Sequence, residues 1–233
     1  MIYDFTALDV ESTGLNPKTD KLIEIGAVKV RNGKITDRFH TLVYPGRKLE
    51  ERITQLTGIT DEMLKDAPVI EEVIPLLLDF IGEDVLLGHR ILFDFSFIKK
   101  AAANQKLSFE KKGIDTLKIA RRFLPELESK RLSFLCEYFE IPIDAHKAES
   151  DARAAAMLYF KLAEKFGGED GFEALPLIYK VKKESPATPR QKERLYKLVD
   201  MHKLIIDYDI DGLTKSEASR ITDKILSTYG KQL

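Results

Sequence analysis

The chain has 233 residues, of which 44% are hydrophobic and 32% charged, and its 37 basic and 38 acidic side chains leave a net charge of −1. That balance excludes an unfolded or membrane-embedded chain, since it supplies a core and offers no apolar run near the roughly 20 residues a spanning helix needs. It also excludes a protein that coats nucleic acid by charge alone, while leaving open an enzyme that grips only a few nucleotides.

The opening residues Met1-Ile2-Tyr3-Asp4-Phe5 carry an acid and no basic stretch, so they read as folded structure rather than as a leader. Residues 3–10 are predicted as a first strand. Leu22–Arg31 and Lys34–Tyr44 flank Asn32-Gly33, a strong hairpin signal because both turn residues must accept positive φ. Helical periodicity follows in Ile70, Val73, Ile74, Leu77, Leu78 and Ile81, with Pro68 in the first turn and Gly82 at the end. Val85–Gly88 reads as a buried strand, residues 94–104 as a helix and Ile114–Thr116 as a strand end. Leu117–Phe123, Leu132–Phe139 and the alanine-rich Ala148–Phe166 read as helices. The single cysteine, Cys136, lies in the second of these as a small core residue; it permits no internal disulfide and fits a reducing, cytoplasmic setting. Strands first and strand–helix alternation afterwards predict an α/β domain with a mixed sheet.

The pattern breaks at Gly167-Gly168, and Gly171, Pro176, Pro186 and the basic cluster Lys180, Lys182 and Lys183 follow. This predicts a main domain over residues 1–168 and a linker over 169–187 with room for one short helix. Thr188-Pro189-Arg190-Gln191 and Thr214-Lys215-Ser216-Glu217 fit the capping box, a hydroxyl followed three residues later by Gln or Glu. Residues 188–233 are therefore predicted as a helix–loop–helix appendage, small enough that docking on another surface is expected.

Three motifs carry the chemistry. In Leu8-Asp9-Val10-Glu11-Ser12-Thr13-Gly14-Leu15, Asp9 and Glu11 point to one face of the first strand and repel unless a cation lies between them. In Gly88-His89-Arg90-Ile91-Leu92-Phe93-Asp94, an acid opens a helix after a buried strand. In His146-Lys147-Ala148-Glu149-Ser150-Asp151, a histidine precedes the last long helix and an acid lies about one and a half turns in. Each alone has an ordinary reading: a solvated strand end, a carboxylate that complements a helix dipole, a surface histidine.

Together, in this order, they resemble the DEDD (DnaQ-like) 3′→5′ exonuclease family in its histidine-containing DEDDh branch, which includes the proofreading epsilon subunit of bacterial DNA polymerase III. The resemblance covers about residues 1–166 and extends to Ile23-Glu24-Ile25-Gly26-Ala27, Leu56-Thr57-Gly58-Ile59-Thr60 and Ile114-Asp115-Thr116. It implies a ribonuclease H-like α/β fold and a metal site of Asp9, Glu11, Asp94 and Asp151, with His146 as general base. Hard carboxylate oxygens suit Mg²⁺ or Mn²⁺, and two such ions about 4 Å apart can activate a water and stabilise the leaving 3′-oxygen. The resemblance implies that Asp9 bridges both ions. Glu11 and Asp151 then complete the ion that holds the water, and Asp94 serves the second ion. The implied products are nucleoside 5′-monophosphates.

The turn Ser12-Thr13-Gly14 is implied to lie against the terminal nucleotide, with Gly14 allowing close backbone approach. Leu56 and Ile59 are implied to stack on terminal bases, with core packing as the alternative. Phe93 and Phe97 read as core and Asp115 as structural. Arg90 departs from the family, which usually has asparagine four residues before the second-motif acid; a phosphate contact is the favoured role for its guanidinium. The expected partners are 3′ ends of single-stranded nucleic acid, DNA favoured, and a polymerase that the helical tail would dock. The competing reading is a catalytically silent nucleic-acid-binding or docking module. Preference between DNA and RNA rests on contacts to the 2′-hydroxyl that the sequence does not locate.

Overall fold

The first strand is apolar on both faces because it runs through the middle of a sheet that is covered on both sides. In the computed structural model of the chain, which describes residues 1–181, 185–206 and 208–230, β1 (Phe5–Ser12) sends Phe5 and Ala7 into one core and Leu8 and Val10 into the other. It pairs antiparallel with β2 (Leu22–Arg31), which pairs antiparallel with β3 (Lys34–Leu42). Asn32 and Gly33 join β2 to β3 at φ of 51° and 73°, the doubly left-handed turn that their sequence calls for.

The chain then crosses through α1 (Glu51–Thr57), α2 (Asp61–Leu64) and α3 (Ile70–Ile81) to β4 (Leu86–Gly88), which lies parallel to β1 on its other side. After α4 (Leu92–Asn104) comes β5 (Lys112–Asp115), parallel to β4. Next are α5 (Thr116–Phe123), α6 (Leu132–Tyr138) and α7 (Ala148–Phe166). The sheet runs β3-β2-β1-β4-β5-β6. Apolar side chains of α3 and α4 fill the core on one face, and those of α5, α6 and α7 fill the other. Alanines at 152, 154, 155 and 156 make α7 slim enough to lie close on β1 and β2.

Three expectations change. The short helices α1 and α2 lie in a stretch without helical periodicity. Gly58, at φ 73°, caps the first, and the Thr60 hydroxyl accepts from the Met63 N–H at 3.3 Å to open the second. Pro68 lies ahead of α3, outside its first turn, and Pro75 sits within that helix. The stretch expected as a linker contains no helix among the described residues. Instead β6 (Leu175–Pro176) extends the sheet against Lys112-Gly113, and Phe172 is buried beside Phe123 and Tyr159. Lys182 and Lys183 lie outside the described residues.

Two compact units result, one of Met1–Pro45 with Leu49–Val181 and one of Gly46–Lys48 with Lys182–Leu233. In the second, α8 (Pro189–Met201) and α9 (Lys215–Tyr229) each begin in a complete capping box, at Thr188/Gln191 and Thr214/Glu217. Leu195, Leu198, Ile210, Leu213, Ala218 and Ile225 form its own small core, with Val199 and Ile221 packed against it.

Candidate functional site

The C-terminal ends of parallel strands β1 and β4 open at one edge of the sheet, the usual place for a ligand in an α/β fold. Asp9 and Glu11 lie on the same face of β1 as Phe5 and Ala7, the face that α7 covers. Across the ladder, Asp9 is paired with Gly26 and Glu11 with Glu24. Gly26 has no side chain for a steric reason: a Cβ there would lie 2.0 Å from the Glu149 nitrogen. The first turn of α7 therefore rests directly on β2, next to the carboxylates.

That contact brings the third motif to the first. Side-chain ligand atoms of Glu11, His146 and Asp151 all lie within 4.8 Å of one another. His146 is exposed and adopts φ 65°, which turns the chain so that its own N–H donates to Asp151 Oδ2 at 3.1 Å. Asp151 Oδ1 is buried and has no hydrogen-bond partner among the described residues. Asp94, at 3% exposure, enters from α4, and its Oδ1 accepts a 3.0 Å hydrogen bond from the Val10 N–H, between Asp9 and Glu11 in the chain.

Crowding and burial show in the acidities. Burial pushes the Glu11 carboxyl up to about 7, helped by repulsion from Asp151 and Glu24. Burial raises Asp151 to about 6, against the opposing hydrogen bond from the His146 backbone. Asp9 lies well above the ordinary carboxylate range through burial and the nearby charges of Asp94 and Asp151. Asp94 is also raised, by burial, although N–H groups bound to it pull the other way. Such a set is poorly ionised on its own, and an orphaned buried carboxylate oxygen is the observation expected of a site that binds a hard cation. The donors fit a divalent metal ion.

The loop that leads into α4 and Asp94 is fastened from β5 and beyond. The His89 ring contacts the Thr116 hydroxyl at 3.0 Å and the Lys130 carbonyl at 2.8 Å. Arg90 has φ 76°; its exposed guanidinium lies 5.7 Å from the centre of the Phe93 ring. Asp115, expected as structural, accepts from the N–H groups of Leu117 and Lys118 and so caps α5.

The residues expected beside the terminal nucleotide also take part in local packing. The Ser12 hydroxyl donates to the Gly14 carbonyl at 2.6 Å, and buried Thr13 accepts from the Lys21 N–H at 3.0 Å. The space that a side chain at Gly14 would need is occupied by the Asp20 carboxylate, 2.5 Å from an added Cβ. Ile59 is 3% exposed among Ile23, Ile53 and Leu64, so its side chain is core; Leu56 is 54% exposed. Phe97 is buried and Phe93 is packed against the same cluster, as expected. Glu24 has no role in the motifs as read from sequence. Its signals there are a charge in the otherwise apolar run Leu22–Val28 and its place in the Ile23–Ala27 segment that shares the resemblance.

A mixed sheet of this order, flanked by helices and carrying an acidic cluster at the carboxyl ends of its central strands, defines a ribonuclease H-like fold. Residues 6–159 match the RNase T family, described as exonuclease. The chain belongs to that exonuclease family, and its acidic cluster offers donors of the kind a divalent metal takes. It is 44% identical over 163 residues to the PolC-type DNA polymerase III of Caldanaerobacter subterraneus subsp. tengcongensis, an alignment covering 70% of this chain and 12% of that protein. It is 38% identical over 163 residues to the DNA polymerase III subunit epsilon of Aquifex aeolicus, covering 69% of this chain and 81% of that one. The chain thus spans a small part of its PolC-type relatives and most of the epsilon subunit's length. Among solved structures, exonuclease X in complex with 5′-overhanging duplex DNA superposes with a TM-score of 0.59 at 25% identity, over 73% of this chain and 97% of that one. Among the described residues, no helix is long and apolar enough to cross a membrane.

Proposed function

We propose that the chain is a 3′→5′ exonuclease that releases nucleoside 5′-monophosphates from single-stranded 3′ ends, with DNA as the favoured substrate. The observation that carries the reading is the meeting of Glu11, His146 and Asp151 within 4.8 Å around a buried, unpartnered Asp151 oxygen. Asp9, Glu11, Asp94 and Asp151 would hold two Mg²⁺ or Mn²⁺ ions. When bound, such ions supply positive charge that activates water and stabilises a leaving oxygen. His146 is exposed beside Glu11 and Asp151, and its imidazole takes the proton of the attacking water. Asp94, tied to the Val10 N–H, keeps its carboxylate fixed relative to the two acids of β1. Leu56 is exposed and offers an apolar surface to a terminal base, and the Arg90 guanidinium offers a phosphate contact.

Residues 1–181 form the catalytic part in this reading, and the small helical unit serves as a contact surface for long strands or for a polymerase. The free, buried Cys136 suits a reducing, cytoplasmic setting. The test is release of labelled mononucleotide from matched DNA and RNA single strands with Mg²⁺, Mn²⁺ or excess chelator. Mononucleotides from the 3′ end in metal and none in chelator are expected. Undiminished cleavage in chelator, or internal cuts, would refute the reading.

A further inference from the structure

Glu24 is a carboxylate in the middle of a buried strand, 5% exposed, and both of its oxygens are committed. Oε2 accepts a 3.2 Å hydrogen bond from the Ala148 N–H, the first residue of α7. Oε1 accepts from the His40 imidazole at 2.7 Å. It lies directly across the ladder from Glu11. A fifth acid in a crowded acidic site is electrostatically unfavourable, since the Glu24 charge pushes the pKa values of Glu11, Asp151 and Asp9 up alike. With both oxygens occupied, it is also a poor candidate to ligate a cation.

Its position gives it another use. Ala148 lies two residues after His146 and three before Asp151. The first four N–H groups of a helix lack partners within it, so Ala148 N–H is one that needs an external acceptor. Glu24 supplies one from β2, and the carboxylate also complements the positive end of the helix dipole. Two residues along β2, Gly26 lets the backbone of Ala148 and Glu149 approach; a Cβ would lie 2.2 Å from the Ala148 carbonyl carbon. One contact sets how closely the helix start approaches the sheet, and the other fixes it along the strand. His40, from β3, holds the Glu24 carboxylate in the required orientation.

We infer that Glu24 is a positioning residue of the active site: it anchors the start of α7 to β2 so that His146 and Asp151 meet Glu11. The inference rests on the exonuclease reading above. Hydrogen-bond geometry can be separated from charge at this position. A glutamine there would still accept from Ala148 and reach His40, whereas an aspartate would keep the charge on a stem one methylene shorter.

The experiment compares Glu24→Gln, Glu24→Asp and Glu24→Ala in the full chain. Two readouts are taken: kcat and KM on a labelled single-stranded oligonucleotide at saturating Mg²⁺, and the rise in Tm that Mg²⁺ produces. Misplaced groups outside the immediate ligand set typically cost about 10–100-fold. Glu24→Asp and Glu24→Ala are expected to lose about that much in kcat, with KM within about twofold, and to show a smaller Mg²⁺-induced rise in Tm. Glu24→Gln is expected to keep most of both. Wild-type behaviour in Glu24→Asp with a depressed Glu24→Gln would overturn the inference in favour of charge, as would three unaffected variants. Should Glu24→Ala fail to fold, the glutamine and aspartate variants still decide. Should the wild type release no mononucleotide, the exonuclease reading fails, while the Mg²⁺-induced Tm comparison still tests the anchor.

Discussion

The backbone N–H of Arg90 donates a 3.0 Å hydrogen bond to Oδ1 of Asp115, the same oxygen that caps α5 through Leu117. The bond ties the loop before Asp94 to the end of β5 and holds Arg90 at φ 76°, in the left-handed region. Residues with ordinary side chains occupy that region at a cost of about 1–2 kcal/mol, whereas asparagine tolerates it. Backbone strain, as well as any substrate contact, would therefore favour asparagine over arginine at this position.

Arg90→Asn is accordingly expected to stabilise the chain by about 1 kcal/mol, a Tm increase of about 2–4 °C at this size. If the guanidinium also meets a phosphate, KM rises in the same variant while kcat stays. Thermal unfolding and steady-state kinetics on one preparation read both; a Tm that falls or stays put would remove the strain argument.

The raised pKa values of Glu11 and Asp151 predict an unusual pH response. In the unfolded chain these groups titrate near about 4.3 and 3.9, but folding raises them to about 7 and about 6. The folded state therefore binds more protons between about pH 4 and pH 7, and stability from these groups falls as pH rises through that window. A divalent cation replaces the protons, so its stabilising effect grows over the same range. The Mg²⁺-induced rise in Tm is expected to be larger at pH 7.5 than at pH 5. Without metal, Glu11→Gln is expected to lose less Tm than wild type between those values. Equal pH slopes for the two proteins would show that Glu11 is not perturbed in this way.

Much of this site was legible because each motif sits at a recognisable local signal: Asp9 and Glu11 at alternate positions of a strand, Asp94 and Asp151 in the first turns of helices. The hairpin was legible because Asn32-Gly33 specifies its own turn. What the sequence hid is what depends on distant partners. The Asp94 carboxylate is tied to Val10, 84 residues away, and Glu24 to Ala148, 124 residues away. Residues 169–187 look like a linker by Gly171, Pro176 and Pro186, yet Leu175-Pro176 pairs with the edge at Lys112-Gly113. Helix α1 escaped notice because only Ile53 and Thr57 of its seven residues are buried, too few to show a period. Ile59 was ambiguous for the same reason: an isolated apolar residue after a glycine fits a core as well as a base.

The catalytic roles proposed for Asp9 and His146 separate in their effects. Asp9→Ala is expected to abolish activity and the Mg²⁺-induced rise in Tm together, because the residue is placed to hold metal. His146→Ala is expected to lose on the order of 10²–10⁴ in kcat, the usual worth of general acid–base catalysis. Its KM and its Mg²⁺-induced Tm rise should stay close to wild type, since the side chain is exposed and contributes little to packing. A His146→Ala enzyme that keeps its rate but loses its metal response would reassign the histidine as a ligand.

The helical unit can be removed to ask what it adds. The two large cores and all of Asp9, Glu11, Asp94, His146 and Asp151 belong to the first unit, which reaches Val181. A chain ending there retains β6, which a cut at residue 168 would delete together with the buried Phe172. It is expected to fold and to degrade short oligonucleotides at the wild-type rate, whereas the shorter cut is expected to lower Tm. On long strands the outcome depends on the basic residues of α8. Lys192 is paired with Asp211 at 3.2 Å, which leaves exposed Arg190 and Arg194 as the better groups to meet phosphate. Removing one cation from a strand phosphate lowers the slope of log affinity against log salt by about 0.7 on a single strand. Deleting both arginines with the unit is therefore expected to reduce the slope by about 1.4 and to weaken binding most at low salt. Binding measured between about 50 and 200 mM salt distinguishes the cases. Parallel salt lines for the full and shortened chains would show that the unit does not touch the strand, and would leave a protein partner as its use.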